Sequence, residues 1–477
     1  MPEAIGTPIS VFLVSDKPVL DVRQFFQTTN PARTLDPQKE GDQQLYIDFS
    51  EVRGEQIITE IKDLITFYEP DNPTCTLFTG HIGCGKSTEL LKLRAELEAE
   101  GFHVVYFEST EDLEMADVDI GDLLLAIARR ISQSLEGIDI GEAKGLRGLL
   151  HKAAKVLMTE IELEAEAAVP ILVKTPGMTD LSASASTSGE FSLAAGIGKI
   201  TARAKNDATL RDRLNQFLGP QKNQLVEAIN EELLKPAIAQ LKQQGKKGLV
   251  VIVDNLDRID NRPKAFGRSQ QEYLFIDQHE CLQKLHCHKV YTIPLALKFS
   301  SEYGLLTARY TDDPKVLPMV PVKLRNGQPC EEGMRLLRQL VLARAMPGQP
   351  EAEQLAQVPR LFDQPESLER LCMISGGHVR DLLRLLNGWV RKGRTFPLKQ
   401  QKLEEVIRAR RNEMTLQLSA DEWTLLQQVR QQRKKVGGDD DYQRLIHSRL
   451  VFEYRDQGES WFDVNPILLE AEELKES

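Results

Sequence analysis

No apolar run in these 477 residues approaches the ~20 needed to cross a bilayer. The opening MPEAIGTPIS lacks the basic start and apolar centre of a secretion signal. Cysteine is sparse and scattered: Cys75, Cys84, Cys281, Cys287, Cys330 and Cys372 show no disulfide-framework spacing. These gaps lead to the expectation of a cytoplasmic protein without a membrane span. Positive charge is short as well, 60 Lys and Arg against 71 Asp and Glu for a net charge of −11. That balance argues against a protein that coats nucleic acid without selectivity. Zinc-site spacing is missing too. His279, Cys281, His286, Cys287 and His288 form no paired C-x-x-C or H-x3-H units, and a strand starting at His288 would pull them apart.

What is present is concentrated in GHIGCGKST: Gly80, His81, Ile82, Gly83, Cys84, Gly85, Lys86, Ser87 and Thr88. The apolar run CTLFT precedes it, and ELLKLRAELEAEG follows with leucines at helical spacing. Strand, glycine turn and helix are the context that G-x-x-x-x-G-K-[ST] requires. The three glycines let backbone N–H groups turn inward toward phosphate oxygens, and the new helix adds its positive dipole end. Lys86 can reach the β- and γ-phosphates, and Ser87 can ligate Mg²⁺. The expected ligands are therefore ATP and Mg²⁺. ATP is preferred to GTP because an N-K-x-D segment is absent.

The chain divides, by composition, into an arm over 1–44, a nucleotide-binding core over 45–330, a helical lid over 331–414 and a small α+β unit over 415–477. In the core, LYIDF reads as a short strand-like piece before Arg53-Gly54 and a helix. HVVYFES reads as a second strand, DIGDLLLAIARRISQSL as an amphipathic helix, and HKVYTIPL and VLPMVPVKL as later strands. The βα alternation implies an α/β fold, a parallel sheet with helices on both faces. An insertion over about 136–245 separates the P-loop from the apolar strand LVVIVD, which ends at Asp254. Its middle, Leu181 to Lys205, is Ser/Ala/Gly-rich with alternating apolar residues, and is predicted to be a β-hairpin or loop on a helical stalk.

Asp254 ends a buried strand and is the expected second anchor for Mg²⁺ beside Ser87. From Glu331 onward only helices are expected, and GGHVRD opens one of them with Arg380 in its first turn. A cation at a helix start opposes the macrodipole, which suggests an anion for it to meet. Residues 380–411 hold ten Lys and Arg against three Asp and Glu, a strip that nucleic acid could use. Helix, helix and two β-rich runs close the sequence in a winged-helix pattern with a Ser419/Glu422 capping box. Residues 411–477 carry nine Lys and Arg against fourteen Asp and Glu, which favours a protein partner there over DNA.

The P-loop, the DNLDRI segment, the Thr292 strand and GGHVRD, in that order, resemble bacterial AAA+ and STAND- or KAP-type ATPases with an appended winged helix. The resemblance implies that Arg53 lies on the adenine side, and that Thr292 and Arg380 sense the γ-phosphate. It also makes Arg309 a finger toward a neighbouring subunit. Such proteins usually follow the strand-ending aspartate with glutamate. Here Asn255 stands in that place, leaving Asp257 as candidate base and Asn255 as a positioning residue. The implied function is a slowly hydrolysing, oligomeric ATP switch that recruits a protein partner through the winged helix or the insertion, as in bacterial defence systems. A DNA-associated loader or regulator, and a non-hydrolysing scaffold, are the alternatives.

Overall fold

The segment LVVIVD is buried at every position, so it needs cover on both faces, and the architecture follows from that. A computed structural model describes residues 20–54, 56–136, 144–167, 193–264, 267–435, 439–456 and 458–475. Five parallel strands form the central sheet: β1 (Cys75–Gly80), β2 (His103–Glu108), β3 (Leu249–Asp254), β4 (His288–Thr292) and β5 (Lys315–Leu317). Their order is β2-β3-β4-β1-β5. Every pairing is parallel, so all five strands end at one edge of the sheet, where α/β folds bind ligands.

Side chains alternate strictly. Val250 and Ile252 face the layer holding the P-loop helix (Lys86–Ala99), while Val251 and Val253 face the helix Ile120–Ser134 and the inserted helices. The inserted helices do not stand away as a stalk. Leu150, Ile197, Leu214 and Leu233 join the same core as the sheet.

Three sequence expectations change. Residues 193–206 are a helix, not a hairpin. The buried set Leu193, Ile197, Ile200 and Ala204 follows a helical period that the apparent alternation concealed; the preceding stretch from Leu181 lies outside the described residues. β5 stops at Leu317, because Pro318 and Pro321 cannot donate to a ladder. The piece at Leu45 pairs with no strand; Phe49 packs into the lid core instead.

Helix Ile120–Ser134 begins with a capping box between Asp119 and Asp122. Burial pushes the Asp122 carboxyl up to about 7, against the pull of the Asp119 backbone N–H, while the Asp119 and Asp117 charges add smaller upward pushes. A folded-state value above the unfolded one means that folding takes up a proton. Stability contributed by neutral Asp122 is therefore full below about pH 4 and is lost as pH rises toward 7. Asp122→Asn keeps the acceptor and removes the charge. Urea unfolding should show it matching the wild type near pH 4 and gaining up to about 4 kcal/mol over it at pH 8.

The lid comprises helices from Glu331–Ala345 to Gln400–Thr415 around Trp389, Leu386 and Phe362. The C-terminal unit places helices Ala420–Gln432 and Asp439–His447 before a hairpin of β6 (Val451–Asp456) and β7 (Glu459–Val464), the winged-helix arrangement. Its Ser419/Glu422 capping box forms as expected.

Candidate functional site

At the carboxyl edge of β1 the chain turns through Gly83 and Gly85, at φ 95° and 111°. This left-handed backbone is open to glycine at low cost. Gly85 is the N-cap of the P-loop helix, which has no side-chain cap. Its first N–H groups and dipole therefore face the loop, a fit for phosphate oxygens. Lys86 is 6% exposed. Its Nζ donates to the Gly80 and His81 carbonyls at 2.8 and 3.0 Å and pairs with Asp257 at 2.9 Å. Burial opposes the ammonium, but Asp257, by charge and hydrogen bond, together with Cys84 and Asp254, outweighs it and holds the pKa above the usual lysine value.

Asp254 ends β3 at 1% exposure. One carboxylate oxygen accepts the Asn255 N–H at 2.7 Å and the other accepts the Tyr106 hydroxyl at 2.8 Å. Burial raises its pKa and Asp257 adds to that, while hydrogen bonds, the first from Ser87, pull it down. Ser87 and Asp254 are thus brought together as two hard oxygen donors, a set suited to Mg²⁺ with water and phosphate completing the shell. Asn255 has φ 64°, which asparagine tolerates. Its side-chain amide donates to Glu108 at the end of β2, 2.7 Å away. Thr292, fully buried, accepts the Leu256 N–H at 2.9 Å and so pins the turn after Asp254.

The lid lies directly on the loop. Arg380 N–H donates to the Gly83 carbonyl at 3.2 Å, and a Cβ on Gly83 would meet Arg380 Cβ at 2.9 Å. His378 Nε2 donates to the Ile82 carbonyl at 2.9 Å, while its Nδ1 accepts the Asp381 N–H at 3.0 Å. One neutral ring therefore caps its helix and holds the P-loop; burial keeps its pKa down. The C-terminal hairpin touches the same loop. Glu453 N–H donates to His81 Nε2 at 3.0 Å, and Phe452 stacks on His378 at 5.5 Å. Tyr454 donates to the Gly376 carbonyl at 2.8 Å. His81, buried among these groups and next to His378, is held well below the usual histidine pKa.

A cavity of about 70 Å³ remains among Lys86, Ser87, Asp254, Arg258 and Arg380, roofed by Arg33 of the N-terminal segment. A cleft of about 1,280 Å³ adjoins it, between Arg258, Arg384 and Arg410 on one side and His447 on the other. Another, of about 230 Å³, lies by Arg53, Ile57 and Lys92. Arg53 is buried, donating to the Cys84 carbonyl at 2.6 Å and facing Glu89 at 3.7 Å.

Arg309 is the outlier. It donates to the Ile276 carbonyl and approaches Asp277 at 3.5 Å within its own chain. Arg325 pairs with Glu459. Sequence reasoning passed over Tyr106, Glu108, His378 and Glu453. The first two were detectable as polar residues at a strand's carboxyl end. Glu453 carried no signal, because the hairpin's docking is purely tertiary.

The strand order, the glycine turn with Lys86, and the strand-ending Asp254 define a P-loop NTPase with a helical lid and a winged-helix unit. Residues 55–264, under half of the chain, match the KAP family P-loop domain, a match that implies nucleotide binding. The chain is also similar to several solved structures. One is the ORC2 protein of Aeropyrum pernix, at 12% identity and TM-score 0.39, covering 94% of this chain and 95% of that one. A Walker-type ATPase of Pyrococcus abyssi aligns at 11% identity and TM-score 0.41, covering 94% and 99%. A Drosophila ORC structure bound to DNA aligns at 10% and 0.38, covering 100% and 96%. No curated protein sequence matches. Among the described residues no helix is long and apolar enough to cross a membrane.

Proposed function

We propose that the chain is an ATP-controlled switch that binds ATP with Mg²⁺ and hydrolyses it slowly, assembling with copies of itself and passing its state to a protein partner. One observation carries the reading. Three consecutive P-loop residues are held from outside the ATPase core: His81 by the hairpin, and Ile82 and Gly83 by the lid turn. A phosphate chain seated on the N–H groups of this loop bears on the same backbone that both contacts hold.

In this reading Lys86 and the N–H groups after Gly85 hold the phosphates. Ser87 and Asp254 hold Mg²⁺, which supplies charge neutralisation at the transferred phosphate. Arg380 senses the γ-phosphate from above Gly83, and Thr292 keeps the turn after Asp254 in register. Asp257, the candidate base read from the sequence, stays tied to Lys86 until that ammonium turns to phosphate, and a site whose carboxylate is so engaged suits a slow reaction. Arg53 is the adenine-side candidate beside the 230 Å³ cavity. Arg309 reaches a neighbour only by giving up Ile276, so a finger role goes with a rearrangement on assembly. The partner surface is the winged-helix unit or the insertion, in keeping with a defence-type switch.

Hydrogen exchange tests the proposal. Saturating Mg-ATP should raise exchange in residues 451–464 and around 375–380 by at least about tenfold over ADP, as the contacts on His81 and Ile82 break. Equal exchange with ATP and ADP would sink the switch. Fast turnover that climbs with DNA, with salt-sensitive binding lost on neutralising Arg391, Lys392 and Arg394, would favour the DNA-associated reading. What supports that second reading is that Arg391, Arg394 and Arg408 have no ion-pair partner among the described residues, while Lys392, Arg410 and Arg411 do.

A further inference from the structure

The hydrolytic carboxylate is a problem the site leaves open. Asp257 is 8% exposed and tied to Lys86, whose charge it neutralises. Asn255, directly after Asp254, has an amide where a carboxylate would serve, and an amide takes no proton from water. The described residues around Asp254 hold one more carboxylate, Glu108. It closes β2 in parallel register with Asp254, so both side chains leave the sheet at the same level of its carboxyl edge. It is half-buried, with one oxygen engaged by the Asn255 amide at 2.7 Å. Asn255 itself lines the phosphate cavity together with Asp254, Ser87 and Lys86. Glu108 therefore sits one hydrogen bond behind the cavity wall, on the Asp254 side.

We propose that Glu108 is the carboxylate of the hydrolytic step and that Asn255 is the residue that positions it. The pair places a carboxylate and an amide on adjacent strands, with the carboxylate on β2. A water held by Glu108 attacks the γ-phosphorus as its proton passes to the carboxylate. The bond from phosphorus to the β–γ bridging oxygen breaks, ADP leaves with that electron pair, and the proton then goes to phosphate or solvent. The left-handed turn at Asn255 aims the amide across to β2 rather than into the cavity. In the arrangement seen here the amide holds Glu108 back, so hydrolysis waits on a small rotation at Asn255. That wait is a physical origin for a slow rate.

The inference rests on the hydrolysis reading, and the test separates the two. Phosphate release by the full-length wild type comes first; its absence at saturating Mg-ATP would overturn both. Given turnover, Glu108→Gln is decisive, because glutamine keeps the acceptor for Asn255 and loses only the basic charge. We expect kcat to fall at least ~100-fold while affinity for a fluorescent ATP analogue stays within about threefold. A purely structural Glu108 would leave kcat at the wild-type value in this variant, and that result would overturn the inference alone. A second variant guards against misfolding. Exchanging the pair, Glu108→Asn with Asn255→Asp, returns a carboxylate to the same pair of strand ends at a residue type that keeps the left-handed turn and should recover kcat to within about tenfold of wild type. Recovery by Glu108→Asn alone would also overturn it.

Discussion

Lys86→Ala is expected to abolish phosphate release, by at least ~10³-fold, and to destabilise the fold at the same time. The two losses have different origins. The first is the missing ammonium at the phosphates. The second comes from Asp257, 8% exposed, which loses the partner 2.9 Å away and becomes a buried, unpaired charge. Breaking such a pair from one side costs about 3–5 kcal/mol. The double variant Lys86→Met with Asp257→Asn should recover at least half of that stability in denaturant unfolding, yet remain without phosphate release. Recovery of activity along with stability would show that Lys86 is a structural lysine.

The second large effect is expected at Gly377. Its φ is 73°, and a Cβ there would overlap the backbone carbonyl oxygen of Val320. A flexible side chain could yield; a carbonyl beside buried Met319 and Val322 cannot move without moving the start of the lid. Gly377→Ala should therefore combine the left-handed penalty of about 1–2 kcal/mol with main-chain displacement, for a total above about 3 kcal/mol. Gly348 is the control. Its φ is 74°, but its added Cβ would meet only the Gln44 side chain, at 3.2 Å. Gly348→Ala should cost about 1 kcal/mol. Hydrogen exchange of residues 366–393 reads the difference, and equal protection in the two variants would refute the close-approach argument. Because Arg380, the proposed γ-phosphate sensor, lies three residues after Gly377, the Gly377 variant should also weaken ATP binding.

The parts of this protein legible in its sequence are those with short-range physical causes. The Lys86 turn needs only glycine freedom and a helix start. The strand ending at Asp254 is an unbroken apolar run, and the Ser419/Glu422 box is a spacing of three. Failures occurred where local patterns compete. In Leu193–Asn206, small residues mimic alternation, and burial alone selects the helical period. The proline spacing after Val316 was visible but was outweighed by apolar content.

The candidate site divides along the same line. Its phosphate loop, its strand-ending Asp254 and the cation Arg380 were each readable, because each is a residue type at a characteristic position in one segment. What no segment contains is who touches whom. Lys86 meets Asp257, Asn255 meets Glu108, and His81 meets Glu453. These pairs span up to 372 residues of chain, and their existence depends on strand order and on how the hairpin settles against the lid. By itself, then, the sequence determined that Gly80–Thr88 make a glycine turn into a helix start, the form of a phosphate loop. Only the tertiary structure decided that the lid and the hairpin hold the same loop, because long-range packing brings their polar groups within hydrogen-bond reach of its backbone and of the His81 ring.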